Sequence, residues 1–152
     1  MTAVRVLVVC TGNTCRSPIA AALLDRRLVD GGVDAQVWSA GTLGWGERPA
    51  TGHAVTVAAE WGLDISAHVS RRLDRGHLDV DLVVAMTRDH AGAVVARDRS
   101  LAARTFLPAE FTRLATGEPA RHEHESIGEY VTRVGSARPT GPIGRAADQI
   151  DD

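Results

Sequence analysis

No apolar run in this chain approaches the roughly 20 residues that a membrane-spanning helix needs. The apolar stretch from Val4 to Cys10 is also too short, and too abruptly ended, to be the core of a signal peptide. The expected location is therefore the cytoplasm, with no membrane partner. Charge of one sign is lacking too. The formal net charge is -2, the pI is near 6.3, and no block of like charge occurs, so no nucleic-acid partner is expected. Lysine is missing altogether, since all 17 basic residues are arginine, and no function follows from that. Cysteine is scarce. Cys10 and Cys15 sit too close together to staple distant parts of a fold, so they read as chemistry in a reducing compartment.

What is present is the composition of an ordinary soluble protein, 44% hydrophobic and 24% charged over 152 residues, enough for one core and one domain spanning 1–152. Val4 to Val9 is a β-branched run ending in a Gly/Asn turn, as expected of a strand buried on both faces of a parallel sheet. Ser17-Pro18 opens a stretch to about Val29 with helical spacing of Ile19, Ala22, Leu23 and of Ala20, Leu24, Leu28, closed by Gly31-Gly32. A strand is predicted near 35–39, a glycine-rich loop from Gly41 to Pro49, and a helix from about Thr51 to Trp61. Further elements are a strand over 81–86, a helix near 88–97, a short strand near 104–107 and a helix near 126–134. No element is assigned between Leu107 and Thr116. This alternation predicts an α/β architecture with a parallel sheet.

The segment Cys10-Thr11-Gly12-Asn13-Thr14-Cys15-Arg16-Ser17 falls between the first strand and the first helix, at the sheet edge where open α/β folds bind ligands. Backbone amides of Thr11, Gly12, Asn13, Thr14 and Cys15 can converge there on an anion, aided by the helix N-terminus, and Gly12 and Asn13 tolerate left-handed backbone. Arg16 adds a planar fork that can hold two phosphate oxygens. The same positive field favours the thiolate of Cys10, the form that attacks phosphorus, and the Ser17 hydroxyl is placed to help stabilise it. A metal site is not expected: no second cluster accompanies the two cysteines, and His122 and His124 in Arg121-His122-Glu123-His124-Glu125 read as a solvated charged face.

From Val9 to Pro18 these residues resemble the low molecular weight protein tyrosine phosphatase family. The likeness continues through Ser39-Ala40-Gly41-Thr42, Trp45, Pro49-Ala50, Gly62-Leu63-Asp64, His68-Val69-Ser70-Arg71 and Asp81 to Met86. The resemblance implies a flavodoxin-like three-layer α/β/α sandwich with a four-stranded parallel sheet. It implies a phosphocysteine intermediate, no cofactor, and a phosphorylated protein or peptide as substrate, with inorganic phosphate or a similar oxyanion fitting the loop. It further implies that Ser39 and His68 hydrogen-bond Asn13 and Ser17 and that Trp45 walls the substrate cleft, although a tryptophan there can equally cover the core. Thr14 resembles the threonine of the bacterial protein-arginine phosphatase branch, leaving phosphotyrosine and phosphoarginine both open.

The family's general acid is an aspartate in a late Asp-Pro-aromatic loop. Gln149-Ile150-Asp151-Asp152 resembles the approach to it, which makes Asp152 the expected acid and Asp151 the adjacent alternative, with the acid loop and the family's last helix incomplete within these residues. Two other functions share the loop. One is a thioredoxin-coupled arsenate reductase, which needs further cysteines beyond Cys15. The other is a phosphate-binding regulatory module without turnover. A separate expectation is that Cys15 traps a sulfenic acid formed at Cys10.

Overall fold

The computed structural model describes residues 3–150; Asp151 and Asp152, the expected acids, lie outside them. Strand β1 (Val4–Cys10) is flanked by β2 (Ala35–Gly41) and β3 (Leu82–Ala85), and β4 (Thr105–Phe106) follows β3, giving a four-stranded parallel sheet in the order β2-β1-β3-β4. The sequence of β1 explains its place between two neighbours. Valines and Leu7 point to both faces, and residues 6–10 are all buried, as a strand with helices on either side requires.

Alternation along the strands sorts the core into two layers. On one face Val8, Val84 and Val37 pack with Ala20, Ala21 and Leu24 of α1 (Arg16–Asp30). Further along that face, Leu82 and Phe106 pack with α4 (Pro108–Gly117) and α5 (Ile127–Ser136). On the other face Leu7, Val9 and Val83 meet Val94 of α3 (Arg88–Arg97) together with Leu73, Leu78 and Val80. The short helix α2 (Gly52–Glu60) covers the outside of α1, with Ala54 and Ala58 against Ile19, Ala22 and Leu23. This is the three-layer α/β/α sandwich expected.

The predicted elements occur close to their predicted bounds, but α4 was not foreseen. Its signals are local: Pro108 in the first turn, where a missing N–H is harmless, and Glu110 two residues later. Beyond α5 the chain crosses back over the sheet edge as an irregular strap, residues 138–150. Two buried carboxylates anchor it. Glu110 accepts from Arg138 Nε at 2.6 Å and from the Gly144 N–H at 2.9 Å, and Asp148 accepts from Arg113 Nη2 at 2.9 Å and the Arg145 N–H at 2.8 Å. The strap ends beside β3, where the Ile150 N–H donates to the Met86 carbonyl at 2.8 Å.

Candidate active site

The register of the sheet brings Cys10, the last residue of β1, level with Gly41, the last of β2. That pairing has to be close. A Cβ on Gly41 would stand 2.5 Å from the Thr11 carbonyl oxygen, so only glycine lets the second strand support the loop. From there four loop carbonyls are drawn outward: Cys10 O accepts from the Thr42 N–H, Thr11 O from Leu43, Thr14 O from Thr51, and Asn13 O from His68 Nε2 at 2.7 Å. In a planar trans peptide the N–H points opposite its carbonyl. The amides of Thr11, Gly12, Thr14 and Cys15 are thereby turned inward as a nest for an anion.

Asn13 sits fully buried at the centre with φ 55°, the left-handed backbone that bends the loop. Its side chain is fully used: Nδ2 donates to Ser17 Oγ and to Ser39 Oγ, both at 2.8 Å, and Oδ1 accepts from the Arg71 N–H at 2.9 Å. Sequence reasoning assigned Gly12 the same backbone role, but Gly12 does not adopt positive φ. Its requirement is for space, because a Cβ would lie 2.5 Å from the Trp45 ring. Ser39 and His68 both hold Asn13, and it is Asn13 that reaches Ser17.

The thiol of Cys10 lies buried at the floor. Ser17 Oγ is 3.0 Å from Sγ, and the Asn13 N–H points at Sγ from 3.3 Å. Since Ser17 Oγ already accepts from Asn13, its own proton is available to the sulfur. Above the thiol opens a cleft of about 290 Å³, lined by Cys10, Thr11, Gly12, Thr14, Cys15, Arg16 and Trp45. Trp45, half exposed, walls this cleft instead of covering the core. Cys15, partly buried, packs against the cluster formed by Ala50, Ala54, Ala58, Leu63 and Ile65. Among the described residues no cluster of three or more possible metal ligands occurs.

A thiol under an amide nest, an arginine opening the next helix and an aromatic wall make a site suited to attack on a tetrahedral oxyanion. The family model for low molecular weight phosphotyrosine protein phosphatase matches residues 5–134. The chain belongs to this family. As a low molecular weight phosphatase it is a cysteine-dependent enzyme, and its relatives divide between two named activities. A protein-arginine-phosphatase of Geobacillus stearothermophilus is 39% identical over 117 residues, covering 76% of each chain. The low molecular weight protein-tyrosine-phosphatase Etp of Escherichia coli is 41% identical over 103 residues, covering 67% of each. Among solved structures, the low molecular weight protein tyrosine phosphatase from T. tengcongensis superposes with a TM-score of 0.68 at 32% identity, over 89% of this chain and 97% of that one.

Sequence reasoning missed His90 and the Arg71 backbone. His90 Nε2 lies 2.8 Å from Thr11 Oγ1. The available signal was Thr87, two residues beyond β3, followed three residues on by a polar side chain, a helix-start pattern at the same sheet edge as the loop.

Proposed function

We propose that this phosphatase removes phosphate from protein side chains, with Cys10 as nucleophile and Arg16 and the loop amides of residues 11–17 as the phosphate site. The thiolate sulfur attacks phosphorus and the bond from phosphorus to the leaving oxygen or nitrogen breaks. The leaving group takes a proton, and water then hydrolyses the phosphocysteine to release inorganic phosphate and free thiolate. The observation that carries this reading is the donation of Ser17 and the Asn13 amide to Cys10 Sγ, which stabilises sulfur as an anion when it attacks and when it leaves.

Asp152, with Asp151 as its neighbour, is the proton donor in this reading. Support comes from the approach to it: the Arg88 N–H donates to Gln149 Oε1 at 3.3 Å and Ile150 bonds to Met86, one residue beyond β3. Ser39 and His68 act by holding Asn13, and Trp45 packs against the substrate side chain. The cytoplasm suits two free cysteines, Cys10 and Cys15, and no helix among the described residues is long and apolar enough to cross a membrane. One domain over 1–152 fits the shared sheet.

Phosphotyrosine is the first substrate. Phosphoarginine is a second reading that Thr14 favours, since Thr14 lines the cleft, where its hydroxyl can meet a guanidinium. Within these residues no cysteine follows Cys15, which counts against an arsenate reductase.

The test is phosphate release from a phosphotyrosine peptide and a phosphoarginine peptide in parallel, by the native chain and Cys10→Ser, without added metal. Turnover of one peptide that vanishes in the variant supports the reading and selects the substrate. Tight phosphate binding with no turnover of either favours a regulatory module.

A further inference from the structure

His90 is 5% exposed and stands at the third position of α3, with its ring between the helix cap and the phosphate loop. Nδ1 lies 3.2 Å from the Thr87 N–H and 3.0 Å from the Thr87 hydroxyl. A backbone N–H can only donate, so Nδ1 is the acceptor, and the proton of the neutral ring sits on Nε2. Nε2 faces Thr11 Oγ1 at 2.8 Å and donates to it. Arg16 Nη2 approaches the same oxygen at 3.4 Å as a second donor. With two donors on its oxygen, the Thr11 hydroxyl has its own proton left to give, and Thr11 lines the cleft.

A helix cap alone does not call for histidine. The third position of a capping box needs only an acceptor, which glutamate or glutamine supplies. What histidine adds is a donor on the far side of the ring, and that is the side facing Thr11, 79 residues away in sequence.

We propose that His90 is a positioning residue for dephosphorylation: it fixes the Thr11 hydroxyl as a donor to a phosphoryl oxygen and holds the oxygen against which Arg16 is aimed. The inference rests on the phosphatase reading above. Removing the donor frees the Thr11 rotor to offer a lone pair to the bound oxyanion, and loosens the guanidinium.

Two variants separate this role from capping. His90→Gln keeps an acceptor for Thr87 and an amide donor at nearly the imidazole spacing, whereas His90→Leu removes both. Inorganic phosphate is titrated into the native protein and each variant by calorimetry, kcat and KM are measured on the peptide the native chain turns over, and melting curves establish that each variant is folded. His90→Leu is expected to bind phosphate about tenfold more weakly, the scale of one hydrogen bond, with kcat/KM falling alike. His90→Gln is expected to recover most of both. In a Thr11→Val background the leucine substitution should add little.

Equal phosphate affinity in the native protein and folded His90→Leu overturns the inference, as does an undiminished leucine effect in the Thr11→Val background. Nitrogen NMR of the native imidazole needs no variant; a proton on Nδ1 instead of Nε2 also overturns it. Phosphate affinity is read without turnover, so failure of the positioning role is distinguishable from failure of the phosphatase reading, which Cys10→Ser tests separately.

Discussion

The phosphate loop and the C-terminal strap both hold irregular backbone at the carboxyl edge of the sheet, but they do it with different chemistry. The loop is fixed by an amide, two hydroxyls, an imidazole and backbone groups around Asn13. The strap and the helices beneath it are fixed by ion pairs: Glu110 with Arg138, Asp148 with Arg113, and Glu125 with Arg133. Groups of this kind can shape a nest without setting a carboxylate against an incoming dianion. Charged pairs are tolerable where no anion is to be bound. Architecture near the thiol is thus separated from the charge that the substrate meets.

The sharpest way to break that comparison is to remove one keystone from each region. Glu110 is 1% exposed, and Glu110→Ala would leave the half-buried Arg138 without its carboxylate, though still bonded to the Ala102 and Thr105 carbonyls. The expected cost is about 3–5 kcal/mol of stability, read by urea denaturation, with kcat of the folded fraction little changed. Asn13→Ala should cost less stability, about 2–3 kcal/mol, from the lost buried bonds and the left-handed backbone. Its effect on kcat/KM should be the larger of the two, because it deforms the nest. If both variants lose stability and activity in the same proportion, the two regions are not functionally distinct. Ser39→Ala, which removes one of the Asn13 Nδ2 partners, should cost about 1 kcal/mol with a modest rise in KM.

The smallest expected effect is in acid. Hydrogen bonding from Arg133 holds the Glu125 carboxyl down to about 2, and Arg113 likewise lowers that of Asp148. A carboxylate depressed in the folded state adds stability above its ordinary range near about 4.3, and that contribution is lost as pH falls toward 2. Hydrogen exchange between about pH 5 and pH 3 should therefore loosen first in α4, α5 and the strap, while amides of β1 and β2 hold. Loss of protection at the phosphate loop first would reverse the assignment of charge-dependent stability.

How far the sequence could be read follows the same division. The Cys10-to-Ser17 motif is contiguous, and β1 and α1 are defined by local pattern, so the loop and its place on the sheet were legible. Asn13 was legible as a turn residue, but its bond to the Arg71 backbone was not, because a backbone donor carries no sequence signal. His90 was hidden behind an ordinary helix cap, since nothing local says that the far ring nitrogen faces Thr11. Gly12 was read for flexibility when the Trp45 ring above it demands space, a requirement visible only once the loop from Gly41 to Pro49 is folded back. Helix α4 escaped because Leu107-Pro108 reads as a strand end, although proline is equally at home in the first turn.

The span of the Asn13 contacts has a consequence for how the protein is made. Its partners Ser39, His68 and Arg71 lie 26, 55 and 58 residues downstream. A ribosome that has extruded only β1, α1 and β2 presents Cys10 on a chain unable to close its nest. During synthesis the future nucleophile is an ordinary exposed thiol, and it gains its surroundings only after the segment through Arg71 has emerged. Non-local closure of this kind is slow relative to helix formation, so recovery of enzymatic competence after dilution from denaturant should lag the recovery of helical circular dichroism.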